Sequence, residues 1–137
     1  MTPKILDQCT AGAFDGSVPF PETIRRITED GVEWYSANLI FGMKTYYGSD
    51  LSHHQTPWPD YAVPPVADKF CAQSVSAAIR ASQAKEVNYR EFLKRIADAG
   101  VVYYTVHVKG RKAIYFGRHG DSFVEPFPEV RHAPLAE

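Results

Sequence analysis

Residues 20–48 read FPETIRRITEDGVEWYSANLIFGMKTYYG, and residues 89–117 read YREFLKRIADAGVVYYTVHVKGRKAIYFG. The two stretches align without a gap at an offset of 69. Glu22/Glu91, Arg26/Arg95, Ile27/Ile96, Gly31/Gly100, Val32/Val101, Tyr35/Tyr104, Tyr46/Tyr115 and Gly48/Gly117 are identical pairs. Phe20/Tyr89, Ile24/Leu93, Trp34/Tyr103 and Tyr47/Phe116 are conservative ones. The same offset superposes Pro57-Trp58-Pro59 on Pro126-Phe127-Pro128. A chance match would not hold both glycines and both Pro-aromatic-Pro signatures in phase, so the chain is an internal duplication, with copies over 6–59 and 75–128.

Each copy is expected to contain the same elements. Thr2-Pro3 reads as an N-cap followed by proline at the first helical position, opening a helix to about Ala13 with Ile5, Leu6 and Cys9 on one face. Its counterpart is expected from about Val66 to Ala84, where Phe70, Cys71, Ser74, Val75, Ala78 and Ile79 recur at helical spacing. The second helix of each copy carries the stripe Phe20, Ile24, Ile27 or Tyr89, Leu93, Ile96. Asn88 and Glu91 have the spacing of a capping box, with Val87 and Phe92 placed as a hydrophobic staple. Pro21 and Glu22 stand at the matching start in copy one. Gly31 and Gly100 end these helices as left-handed caps.

Strands follow the glycines. Val32–Ile40 and Val101–Val108 are rich in β-branched and aromatic residues, and each leads through a glycine turn into Met43–Tyr47 or Lys112–Phe116. A third short strand is expected at Ser122–Glu125. Four prolines within Thr56–Pro65 make a connector over 56–65, and 129–137 reads as a flexible tail. The predicted product is one two-layer α+β domain of two pseudo-symmetric α-α-β-β repeats with antiparallel strands.

Composition narrows the function classes. The chain has 137 residues, 45% of them apolar and 23% charged, the proportions of a folded domain. No stretch reaches the ~18–20 apolar residues of a membrane span, and Met1–Thr10 lacks the basic start and apolar run of a signal peptide. A net charge of −1 gives no general field for nucleic acid or membranes. Residues 1–60 hold 4 basic against 8 acidic side chains and residues 61–137 hold 11 against 8, so the halves attract each other. Cys9 and Cys71, in helical stripes, read as free core thiols.

Strand alternation separates two faces. Tyr35, Ala37, Leu39, Tyr104, Val106 and Val108 form the more apolar set and are assigned to the helices. Trp34, Ser36, Asn38, Tyr103, Thr105 and His107 fall at equivalent places on the other face, where aromatic surface and short polar groups make a candidate ligand-binding site at the repeat interface. Phe41 and Met43, on the turn of copy one, form a candidate interaction patch. The corresponding turn, Lys109-Gly110-Arg111-Lys112 with Arg118 nearby, is basic and reads as a solvated hairpin tip.

Catalytic signatures are weak. His53 and His54 are adjacent in what reads as a loop and point opposite ways in an extended chain, which makes a shared metal shell poor. No H-E-x-x-H, paired C-x-x-C, G-x-S-x-G or Gly-rich phosphate loop is present. No cofactor and no metal ligands are assigned. The favoured reading is a cytoplasmic, non-enzymatic module that binds a small molecule or a protein, with no nucleic-acid or membrane partner and with surfaces compatible with a homodimer. The alternative is a small hydrolase-type enzyme using His53, His54, His107 or His119 as acid and base in a pocket at the repeat interface.

The run from Val75 to Gly117, with Tyr89-Arg90-Glu91-Phe92, Ala99-Gly100-Val101 and Ile114-Tyr115-Phe116-Gly117, resembles the YbcV-like family of small bacterial proteins of unknown function, some labelled phage envelope protein. The similarity covers most of the chain and is clearest in the second copy. The resemblance implies a soluble bacterial α+β protein with a link to mobile elements, and it assigns no catalytic residues.

Overall fold

The structure, a computed structural model, describes residues 1–128; the tail expected at 129–137 lies outside the described residues. Each repeat folds as two helices followed by a three-stranded meander. Repeat one holds α1 (Pro3–Asp15), α2 (Phe20–Glu29), β1 (Val32–Asn38), β2 (Met43–Gly48) and β3 (His53–Pro57). Repeat two holds α3 (Ala72–Gln83), α4 (Tyr89–Asp98), β4 (Val101–His107), β5 (Lys112–Gly117) and β6 (Ser122–Pro126). The six strands form one sheet in the order β3-β2-β1-β4-β5-β6, antiparallel throughout.

The first strands of the two repeats meet at the centre. Trp34 faces His107, Ser36 faces Thr105 and Asn38 faces Tyr103. Shifting by 69 residues exchanges the first and last of these pairs and leaves the middle one in place. The pseudo-twofold axis therefore passes through the Ser36–Thr105 pair. Backbone conformation obeys the same operation: positive φ occurs at Gly16 and Lys85, Gly31 and Gly100, Gly42 and Arg111, and Leu51 and Gly120. Both first strands also carry a bulge at the same place, between Val32 and Trp34 and between Val101 and Tyr103.

The helices cover one face. Their apolar stripes meet Tyr35, Ala37, Leu39, Tyr104 and Val106 in a core that includes Leu6, Ile27, Tyr46, Val75, Phe92, Leu93 and Ile96. Each such side chain contributes roughly 1.5–3 kcal/mol by leaving water. The start of α4 is a complete capping box: the Asn88 side chain accepts from the Glu91 N–H at 2.8 Å, and Glu91 accepts from the Asn88 N–H at 3.0 Å. Pro19 occupies the matching place before α2 and has no N–H to give. Glu22 binds Arg25 and Arg26 instead, and these partners hold its carboxyl down at about 2.

Four local expectations are corrected. Val66–Phe70 is not helical. Its backbone donors go to the end of α4 instead of to a turn of its own: Ala67 N–H donates to Ala97 O at 3.0 Å and Cys71 N–H to Ala99 O at 2.8 Å. Cys71 is consequently exposed at the N-terminus of α3, while Cys9 is buried. Thr2 does not cap α1 with its side chain; its hydroxyl donates to the Asp30 carboxylate at 2.7 Å, tying the start of α1 to the end of α2. The His53–Pro57 segment is an edge strand rather than a loop, paired with β2 over its whole length.

Candidate functional site

The two α-α loops face each other across the pseudo-twofold axis and leave a cavity of about 570 Å³ above the central strands. Its walls come in equivalent pairs: Ala13 and Ser82, Gly16 and Lys85, Val18 and Val87, Phe20 and Tyr89, with Tyr35 and Tyr104 as the floor. The pairing follows from the fold. Each repeat ends its first helix in a left-handed residue, Gly16 at φ 81° or Lys85 at φ 59°, which turns the chain towards the axis before the second helix starts.

The symmetry is broken at several positions: Pro19, Pro21, Thr23 and Gln83 line the cavity without their equivalents, Lys85 stands opposite Gly16, and the floor carries a lysine on one side alone. Lys44, on β2, alternates inward beside Tyr46 and is only 2% exposed, and it lines the cavity. Its equivalent on β5 is Ala113, which does not. The Lys44 Nζ lies 4.7 Å from the centre of the Tyr35 ring and 5.8 Å from those of Tyr46 and Tyr89, so three aromatic faces surround the ammonium. The Tyr89 and Tyr104 hydroxyls are hydrogen-bonded to each other. Burial pushes the Tyr104 phenol well above its ordinary range, so it stays protonated. Two lysines and no Asp, Glu or His line the cavity among the described residues.

The six residues of the sequence-predicted ligand site do share one face, opposite the helices, and none of them lines the cavity. There they form stacks across strands. Trp34 lies against Tyr47 at 3.9 Å and against His107 at 5.7 Å, and the symmetry-related Tyr103 lies against Phe116 at 4.7 Å. Thr105 donates to or accepts from His107 Nε2 at 2.9 Å, and burial with the neighbouring Lys112 lowers the His107 pKa. Phe41 is 62% exposed at the turn between β1 and β2, with Ile40 beside it, whereas Met43 is half-buried on the open face. Arg111, at the opposite turn, is drawn onto the Phe127 ring and donates to Pro128 O at 3.1 Å.

The other histidines sit apart. His54 Nε2 is 2.9 Å from Asp7 Oδ1, which also accepts from Thr56 Oγ1 at 2.6 Å; these two bonds, Thr56 first, lower the Asp7 pKa. His119 pairs with Asp68 at 2.8 Å in an exposed contact. Among the described residues no group of three or more His, Cys, Asp or Glu is placed to hold a metal ion, and no helix is long and apolar enough to cross a membrane.

Sequence reasoning placed Lys44 in the strand Met43–Tyr47 but assigned it neither a face nor a role. Two signals were available: strand alternation from Tyr46 points Lys44 inward, and the offset of 69 pairs it with an alanine.

A duplicated α-α-β-β-β protein with a cavity on its internal axis is the class that these features define. The chain belongs to the DUF1398 family of proteins of unknown function, whose profile matches residues 12–125. It is similar to uncharacterised proteins of Mycobacterium bovis and Mycobacterium tuberculosis, at 29% identity over 118 residues, 86% of this chain and 70% of each relative.

Proposed function

We propose that this bacterial protein is a non-enzymatic binder of a small organic molecule, held in the cavity between its two repeats. The observation that carries the reading is the cavity itself, whose volume lies in the range of ligand sites and whose walls combine apolar and aromatic surface with a few polar groups. Lining without histidine or carboxylate favours binding over hydrolysis, since the usual acid–base pair is missing from it. Native mass spectrometry of protein taken gently from its expression host tests this. An organic adduct is expected on the wild type and is expected to be lost from Ala13→Trp and Ser82→Trp, which fill the cavity from opposite walls. An adduct that survives both substitutions, or a wild type that is bare and gains no thermal stability from any small organic molecule, would refute it.

A second reading concerns the open face of the sheet, around Trp34, Ser36, Asn38, Tyr103, Thr105 and His107. Its proposed occupant is a second copy of this chain. Two equivalent aromatic stacks flank the Ser36–Thr105 axis, and outside Glu33 in the β1 bulge the outward strand positions carry no carboxylate. Such a patch suits an isologous contact. Sedimentation should show a dimer that Trp34→Ala with Tyr103→Ala dissociates; a monomer at high concentration would exclude it.

A further inference from the structure

Resting on the cavity reading, we infer that the ligand is an organic monoanion with an apolar or aromatic body, oriented by Lys44. The two repeats do not line the cavity equally. At five pairs of positions both repeats contribute to the cavity walls and floor, while Pro19, Pro21, Thr23 and Gln83 each line it from one repeat alone. Charge is unequal as well. Lys44 stands on the repeat-one side of the floor, and Ala113 takes its place in repeat two. Of the two lysines on the lining, Lys44 is buried and Lys85 is exposed, so an anionic end is drawn to the Lys44 side.

The surroundings select the sign and the body. No carboxylate lines the cavity, so an anion entering it meets no like charge, and Lys85 at a wall adds a second positive group. The Tyr35 and Tyr89 rings beside the Lys44 ammonium restrict it to a narrow position. Phe20, Val18 and Val87 supply the apolar surface for the body of the ligand. A carboxylate, sulfonate or phenolate on a flat hydrocarbon frame has the required chemistry. Because Lys44 is buried, an ion pair made to it is stronger than one at the surface.

The test compares 2-naphthoate with 2-naphthamide, which share shape and differ in charge, by calorimetric titration of the full chain. The wild type is expected to bind the acid about tenfold or more tighter than the amide, the ratio of a charge-assisted hydrogen bond to a neutral one. Lys44→Met is expected to bring the two within about twofold by weakening the acid alone, and Lys44→Arg to restore part of the preference. The wild-type comparison stands without any variant that fails to fold. Equal binding of acid and amide, abolished by Ser82→Trp, would overturn the anion inference and leave the cavity reading intact. An acid preference unchanged in Lys44→Met would remove Lys44 from the role. No binding of either compound would overturn the anion inference alone, the cavity reading being decided by the native mass spectrum.

Discussion

Replacing Gly100 with alanine is expected to destabilise the protein by about 3–4 kcal/mol, and replacing its equivalent, Gly31, by about 1–2 kcal/mol. The two glycines have nearly the same left-handed backbone, φ 94° and 88°, so alanine meets the same conformational cost of about 1–2 kcal/mol at each. Their surroundings differ. A Cβ at Gly31 would have nothing within 4 Å, whereas one at Gly100 would lie 2.6 Å from the Lys69 carbonyl oxygen and 2.8 Å from the Phe70 Cα. Both obstacles are backbone, so the segment before α3 must retreat. That strains the Cys71 N–H bond to Ala99 O, at about 1 kcal/mol, and loosens Phe70 against Gly117 for about 1 kcal/mol more. Urea unfolding of the two variants beside the wild type reads the difference as a shift in midpoint at constant slope. Equal costs, or a larger cost at Gly31, would refute the placement of residues 66–71 against the end of α4.

Leu51 is 89% exposed and sits at φ 68°, where the second repeat uses Gly120; Leu51→Gly should raise stability by about 0.5–1 kcal/mol in thermal unfolding, the left-handed strain less the added chain entropy. Tyr46→Phe leaves the buried Thr10 hydroxyl without its partner at 2.8 Å and should lower stability by about 1–2 kcal/mol, with no gain at any denaturant concentration. The Asp7 carboxyl titrates below its ordinary value when folded, so its share of stability is present above about pH 4 and is lost as the pH falls through the lower folded value; Asp7→Asn should flatten the acid limb of a stability-versus-pH curve. His107 is also depressed in the folded state, by burial first and Lys112 second, so its contribution is complete above about pH 6.5 and declines as the pH drops below that; in a Trp58→Phe background the fluorescence of Trp34, stacked on His107, should follow the same transition, and a midpoint above 6.5 would contradict the assignment.

The architecture was legible because duplication repeats its own evidence. Gly31 and Gly100, and the alternation through Tyr35 and Tyr104, are local signals read in both copies, and the capping box at Asn88 is one read in the second. What escaped depends on contacts distant in sequence. β3 consists of His53, His54, Gln55, Thr56 and Pro57, residues with little strand preference, and it is a strand because β2 offers it a free edge. The stripe of Val66–Cys71 follows helical spacing by coincidence; the Ala97 and Ala99 carbonyls, which take the Ala67 and Cys71 N–H groups, decide its course. The open-face residues were grouped correctly by period two, but the cavity lies on the other side of the sheet. It exists because two loops with left-handed turns meet across the axis, and a single strand's pattern holds no trace of that meeting.

The central claim is that the cavity on the internal axis holds an anionic ligand by Lys44, and a crystal structure of the protein soaked with 2-naphthoate tests it most directly. The account predicts the naphthalene between Val18, Val87 and Phe20, with the carboxylate at hydrogen-bond distance from Lys44 Nζ. Naphthoate bound instead on the open face against Trp34 and Tyr103, or seated in the cavity with its carboxylate turned away from Lys44, would contradict it.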